Sequence, residues 1–335
     1  MASGICVFAE HWNQELSPAF FELITAAWEL KEKTQEPIQV LLAAAQPETL
    51  MTQMKGLPID AIYAVKLPRE ICFQEERLAR VYSEMLKEIS PSVLLVPASD
   101  QGRSIFPRVA YRLGAGMTAD CTELEIRKRE DGSHGLRQIK PSFEANVKVC
   151  IECKTGIYPQ IATLREGVCE AWQLDGKERD IPVIWMDGSL EEEVLVELLE
   201  VLPPAAEAGS LQAADVVVVG GRGALEKDNF QLLRKLAGQL GAAVGGTRPV
   251  MDMGEVPFEN QIGQTGCTIR PKICLSFGVS GAVQHTEGIK NTALYIAVNT
   301  AEDAPIFQVA DYAVNADMRP ILEELLTLLK ERQGL

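Results

Sequence analysis

Residues 215–223 read Asp215-Val216-Val217-Val218-Val219-Gly220-Gly221-Arg222-Gly223. Four successive valines place β-branched apolar side chains on both faces, which predicts a strand covered on both sides. The glycines after it predict a tight turn. Phe230, Leu233, Leu236, Ala237 and Leu240 then recur at helical spacing. A covered strand, a glycine turn and an amphipathic helix make one βα unit of a parallel sheet. Downstream, Ala242-Ala243-Val244, Ile273 to Phe277, Leu294 to Val298 and Tyr312 to Val314 predict four more strands, and Ile321 to Leu329 a closing helix.

The same alternation runs through the first half. Gly4 to Ala9, Ile38 to Ala45, Ala61 to Val65 and Ser92 to Pro97 predict strands, and Pro18 to Lys31 and Glu75 to Ile89 predict helices. From Thr122 to Leu174 the runs shorten, which predicts an antiparallel extension. Glu191 to Leu202 predicts an acidic helix, and Pro203-Pro204-Ala205-Ala206-Glu207-Ala208-Gly209-Ser210 has the composition of a linker. The expected fold class is two doubly wound α/β domains with mostly parallel sheets. Their expected bounds are 1–202 and 213–335, joined by a linker over 203–212. A chain of 335 residues suits two domains at about 150 residues each.

Composition excludes several classes. Hydrophobic residues make up 47%, too many for a disordered chain. The net charge of −15 and the lack of a Lys/Arg cluster argue against a nucleic-acid partner. No uninterrupted apolar run approaches the ~18 residues of a membrane span. The start lacks both a basic leader and early arginines, so the simplest expectation is a cytoplasmic protein. The 8 cysteines are scattered. One C-x-x-C, Cys150 and Cys153, has no second pair to complete a zinc site and is expected to fill a core as reduced thiols. His11 and His134 sit in unrelated segments, are expected at the surface, and supply no acid–base pair.

In an open α/β sheet, ligands bind beyond the carboxyl ends of the strands. The segments expected there are Gly220 to Gly223, Gly245-Gly246-Thr247-Arg248-Pro249, Gly263-Gln264-Thr265-Gly266, Gly278 to His285, and Asn299. Glycines let backbone N–H groups approach a phosphate, and Ser280-Gly281 is expected to open a helix whose positive end favours a pyrophosphate. Arg222 and Arg248 add fixed cations; Thr265, Ser280, Gln264 and Asn299 add neutral donors and acceptors. Together these residues suit a large anionic ligand such as a dinucleotide. Two phosphate fingerprints fail: Gly221-x-Gly223 meets Glu226 where G-x-G-x-x-G needs glycine, and no G-x-x-x-x-G-K-[ST] occurs.

Three runs resemble the electron transfer flavoprotein alpha subunit: Gly263-Gln264-Thr265-Gly266, Gly278-Val279-Ser280-Gly281-Ala282-Val283-Gln284-His285, and Ala304-Pro305-Ile306-Phe307-Gln308-Val309-Ala310-Asp311-Tyr312. The likeness extends to Gly220-Gly221-Arg222-Gly223, Gln101-Gly102-Arg103, Pro107-Arg108 and Leu113 to Cys121, and so covers nearly the whole chain. It implies a heterodimer with an electron transfer flavoprotein beta subunit, contacted by the N-terminal domain, and FAD in the C-terminal domain. It implies a carrier that takes electrons from flavin-dependent dehydrogenases, such as acyl-CoA dehydrogenases. An electron-bifurcating flavoprotein coupling NADH oxidation to ferredoxin reduction is the nearby alternative; a non-redox nucleotide-binding protein is the alternative of another class.

By the same resemblance, Arg222 and the loop Ser280, Gly281, Ala282, Val283, Gln284 and His285 surround the FAD pyrophosphate and ribityl chain. Thr247, Arg248, Gln264 and Thr265 lie toward the flavin ring, and Ile262 and Gly263 are further cofactor-binding residues. Asn299 and Asp317 lie toward the adenosine end, and Met318 is a further cofactor-binding residue. The chain departs from the family's usual pattern at Cys267 and Thr300, where lysine is common, and at Lys140 to Asn146, which lacks paired glycines.

Overall fold

The structure, a computed structural model, describes residues 2–12, 14–141, 147–174, 180–188, 199–200, 211 and 214–333. The chain divides into two compact units, Met1–Leu202 and Pro203–Leu335. The acidic helix expected over 191–202 and the linker expected over 203–212 lie outside the described residues, save 199, 200 and 211.

The first unit contains β1 (Ile5–Phe8), a small hairpin of β2 (His11–Trp12) and β3 (Glu15–Leu16), α1 (Pro18–Thr34), β4 (Ile38–Ala44), α2 (Pro47–Met54), β5 (Ala61–Lys66), α3 (Glu75–Ile89), β6 (Val93–Pro97), α4 (Asp100–Leu113), β7 (Met117–Cys121), β8 (Glu123–Lys128), β9 (His134–Pro141), β10 (Lys148–Glu152), β11 (Gln160–Leu164) and β12 (Val183–Trp185). Seven strands form one sheet in the order β12-β5-β4-β1-β6-β11-β7, parallel at every pairing. β1 and β6 are buried along their whole length, as strands covered by helices on both faces must be. Ser17 starts α1 by accepting from the Ala19 N–H (3.3 Å), with Pro18 in the first turn, where its missing N–H costs nothing.

Four features differ from expectation. The segment 122–174 is only partly an antiparallel extension: β8, β9 and β10 form that sheet, whereas β11 returns to the main sheet between β6 and β7. A short buried run reads the same in either setting, and only its long-range partners decide. α4 escapes a periodicity search because Gly102 and Pro107 interrupt it. Gly102 is required, since a Cβ there would stand 2.1 Å from the Pro97 carbonyl oxygen. Cys150 and Cys153 do not fill a core: β10 is an edge strand, Cys150 is exposed and Cys153 half-buried. His11 and His134 are likewise half-buried rather than at the surface.

The second unit contains β13 (Val216–Gly220), α5 (Asn229–Leu240), β14 (Ala243–Gly246), α6 (Arg248–Asp252), β15 (Ile273–Phe277), α7 (Val283–Thr286), β16 (Tyr295–Asn299), β17 (Tyr312–Asn315) and α8 (Met318–Gln333). Its sheet runs β14-β13-β15-β16-β17, again parallel at every pairing. Val217, Val218 and Val219 are fully buried, so both faces of β13 are covered as the valine run predicts. Phe230, Leu233, Leu236 and Ala237 seat α5 on one face with Met318 and Leu322 of α8. Val217, Val219, Cys274 and Ala297 pack on the other with Ile262 and Ile306. Among the described residues, no helix is long and apolar enough to cross a membrane.

Candidate functional site

The strand order of the second unit reverses at β13: the chain moves outward to β14, then back across to β15. A reversal of this kind opens a crevice at the carboxyl ends of the two central strands. Here those ends carry Gly220-Gly221 and Gly278. The Gly221 N–H donates to the Phe277 carbonyl (2.9 Å) and the Gly223 N–H to the Gly278 carbonyl (3.3 Å). A Cβ on Gly221 would meet the Gly278 oxygen at 2.1 Å, and one on Gly278 would meet Met318 Cε at 2.6 Å. Glycine is therefore what lets the two loops lie backbone against backbone. Arg222 projects from this junction, exposed and with no ion-pair partner among the described residues.

The β14 end is tied to the same junction. The Thr247 N–H donates to the Gly220 carbonyl (3.0 Å). Thr247 is only 9% exposed, and its Oγ1 has no hydrogen-bond partner among the described residues. It stands at the N-cap of α6 yet makes no capping bond. Arg248 follows, exposed, with its Nε 3.8 Å from Asp252 Oδ2. That loose exposed pair leaves the guanidinium free for another partner.

The turn 261–267 is clipped shut by its own backbone. The Cys267 N–H donates to the Gln261 carbonyl (2.8 Å), and the Gly263 N–H to the Cys267 carbonyl (3.1 Å). The Gln264 N–H reaches the Gln284 carbonyl (2.6 Å), which joins this turn to the loop after β15. Gly263 has φ 146°, and a Cβ there would stand 2.6 Å from the Gln284 oxygen. Thr265 lies exposed on the turn.

His285 closes the contact. Its Nδ1 lies 2.9 Å from the Ile262 carbonyl oxygen. A carbonyl only accepts, so the hydrogen sits on Nδ1 and the neutral ring presents a bare lone pair at Nε2. That Nε2 is buried and has no partner among the described residues. Burial lowers the pKa of His285, and the Ile262 contact opposes this only partly.

The remaining expected site residues divide by burial. Ser280, Ala282, Val283 and Gln284 are exposed along the loop, while Gly281 is buried with φ 90°, and a Cβ there would meet the Ile306 nitrogen at 2.1 Å. The helix that follows is a single turn, Val283–Thr286, so its dipole is too small to favour a pyrophosphate as the sequence suggested. Asn299 is already engaged: its Nδ2 donates to the Val279 carbonyl (2.7 Å), and its Oδ1 accepts from the Ala301 N–H (3.0 Å). Asp317 is exposed and accepts from the Arg319 N–H (2.8 Å), capping α8. Met318 and Ile262 are buried core side chains, so only their backbone could meet a ligand.

Sequence reading missed one residue beside the expected site. Gln261, 3% exposed, donates from Nε2 to Thr265 Oγ1 (2.9 Å). Its signal is slight: a glutamine four residues before a turn threonine.

A buried polar atom without a partner costs about 1–3 kcal/mol. Among the described residues, Thr247 Oγ1 and His285 Nε2 are such atoms, and they stand on the loops that also carry the glycine cradle and the exposed Arg222. This donor and acceptor set fits a dinucleotide bearing a heteroaromatic ring.

The comparisons agree with the geometry. The electron transfer flavoprotein domain matches residues 5–185, and the electron transfer flavoprotein FAD-binding domain matches residues 210–290. The chain is 35% identical to the electron transfer flavoprotein subunit alpha of Thermoanaerobacterium thermosaccharolyticum, over 98% of each chain. It is 31% identical to the subunit of the same name from Clostridium acetobutylicum, over 98% of this chain and 97% of that one. It is also 33% identical to the lactate dehydrogenase (NAD(+),ferredoxin) subunit LctC of Acetobacterium woodii, over 98% of this chain and 77% of that one. The chain belongs to the alpha-subunit family of the electron transfer flavoproteins, electron carriers whose cofactor, FAD, is bound by the C-terminal domain.

Proposed function

We propose that the rim of the second unit holds FAD through the residues that the sequence singles out, and that this cofactor relays electrons from flavin-dependent dehydrogenases to a downstream acceptor. The observation that carries the assignment is the pair of orphaned buried atoms, Thr247 Oγ1 and His285 Nε2, on loops joined at the strand reversal. Arg222 and the backbone of 280–285 serve the pyrophosphate. Thr247, Arg248, Gln264, Thr265 and the Ile262–Gly263 backbone serve the flavin ring. Asn299, Asp317 and the Met318 backbone serve the adenosine end. The expected partner is an electron transfer flavoprotein beta subunit, the expected compartment the cytoplasm.

When bound, FAD supplies one- and two-electron chemistry at its isoalloxazine ring. The chain's residues set the conditions for it. Arg222 and Arg248 are permanent cations that favour added negative charge nearby. His285 can donate from Nε2 only after gaining a proton there, because Nδ1 is committed to Ile262. Burial opposes that proton, and negative charge arriving beside the ring favours it.

Co-purification with the beta subunit tests the proposal. The expected result is a yellow heterodimer that releases FAD on denaturation and is reduced by an acyl-CoA dehydrogenase with its substrate. A colourless complex would favour the non-redox alternative.

The likeness to LctC, named as part of an NAD(+)- and ferredoxin-linked enzyme, favours bifurcation as a second reading. Two flavins per heterodimer, with ferredoxin reduced at the expense of NADH, would establish it. One flavin and no reduction by NADH would exclude it.

A further inference from the structure

We infer that Gln261 is a positioning residue that sets the polarity of the Thr265 hydroxyl, making it a hydrogen-bond donor toward the flavin ring. The inference rests on the FAD placement proposed above and goes beyond it by assigning a role to a residue that contacts no ligand in that placement.

A hydroxyl has one hydrogen and two lone pairs, and it rotates to suit its neighbours. An exposed threonine on a turn is therefore an undefined donor or acceptor unless something fixes it. Here something does. The Gln261 Nε2 lies 2.9 Å from Thr265 Oγ1 and occupies one of its lone pairs. With that lone pair taken by an N–H, the hydroxyl hydrogen must turn elsewhere, and Thr265 lies on the exposed side of the turn.

Gln261 is itself firmly placed. It is 3% exposed, its N–H donates to the Phe258 carbonyl (3.0 Å), and its carbonyl accepts from Cys267 (2.8 Å). Gly266 makes the closure possible, because a Cβ there would stand 2.0 Å from the Gln261 oxygen. The Ile262 N–H adds a clasp to the Gly246 carbonyl of β14 (2.9 Å). The amide is thus held on a turn that the sheet supports, while the threonine it bonds is exposed. An isoalloxazine ring carries nitrogen and oxygen lone pairs along one edge. A preorganised donor aimed at such an atom strengthens when the ring gains negative charge, which makes reduction easier.

The test is a double-mutant cycle in the heterodimer with the beta subunit, using Gln261→Glu, Thr265→Val and the pair. When ionised, glutamate keeps the shape of glutamine but can only accept, so in titrations run at alkaline pH, above the pKa that burial raises, the Thr265 hydrogen would turn inward to it. The added charge acts in both threonine and valine backgrounds and cancels in the cycle. Flavin is titrated with dithionite against a redox dye, and bound FAD is quantified after dialysis.

At the potential where half the wild-type flavin is reduced, the reduced-to-oxidised ratio should fall about fivefold more for Gln261→Glu in the threonine background than in the valine one, the equivalent of one net hydrogen bond. Gln261→Met, which has no donor and no charge, should move the ratio the same way by less, with FAD retention unchanged. Equal effects of Gln261→Glu in both backgrounds would overturn the inference. So would no effect at all, the result expected if the amide were turned to accept from Thr265. A wild-type heterodimer without flavin would instead overturn the FAD assignment itself.

Discussion

His285 and Arg248 show how differently two polar residues of one rim can act. The imidazole is buried, its tautomer held by the Ile262 carbonyl, and its pKa pushed down by burial. The guanidinium is 70% exposed and loosely paired. Arg248→Ala should therefore leave FAD bound but lower its potential by roughly 20 mV, the two-electron equivalent of an interaction near 1 kcal/mol. A spectroelectrochemical titration showing an unchanged midpoint would count against a place near the ring. Asp317 caps α8, and in the proposed site it would also face the adenosine end. Asp317→Ala should destabilise the second unit by about 1 kcal/mol and weaken FAD retention with little change in the flavin spectrum. Loss of stability with full retention after dialysis would leave it a helix cap alone.

Among the elements, β7 shows how a local irregularity becomes a charged joint. Its register against β11 shifts between Ala162 and Leu164, and Asp120 takes the left-handed conformation at φ 62°. The Asp120 N–H donates to Thr163 Oγ1 (2.8 Å), and its carboxylate accepts from Arg165 at Nε (3.0 Å) and Nη2 (2.5 Å). Burial works against the charged carboxyl, but the bonds and attraction from Arg165, with help from Arg103, outweigh it and hold the pKa below the ordinary value. A group with a depressed folded pKa stabilises the fold above its unfolded pKa and loses that contribution as pH falls through the folded one. Asn tolerates the left-handed region, so Asp120→Asn removes charge without backbone strain. It should cost about 2 kcal/mol at neutral pH, and the difference from wild type should shrink below the ordinary carboxylate value near pH 3.9. Denaturant unfolding across that range checks it; a pH-independent difference would refute the charge-based origin.

For the molecule as a whole, each of the two compact units has its own parallel sheet and packed cores. A ligand that binds only the native second unit stabilises that unit by mass action. At free FAD about a hundredfold above its Kd, the gain is about 2.7 kcal/mol. Hydrogen exchange should slow in Val216–Gly220 and Ile273–Phe277 when FAD is added, and stay unchanged in Ile5–Phe8 and Val93–Pro97. Equal protection of both sets would mean that the cofactor is not confined to the second unit. The net charge of −15 bears on solubility and on repulsion of polyanions, and the sheets owe nothing to it.

Patterns that act over a few residues could be read without coordinates. The valines of β13, the helical spacing of α5 and the glycines after β13 and β15 report local sterics and burial, and these alone imply a doubly wound sheet with a polar rim. Their pairing over distance could not be read. That β11 threads between β6 and β7, and that β10 is left as an exposed edge, depend on chain segments meeting in space. The same holds for His285, whose bare Nε2 exists only because the Ile262 carbonyl, 23 positions earlier, takes the hydrogen of Nδ1. Residue type limits what a side chain can donate or accept; its neighbours in the folded chain decide which of these it does.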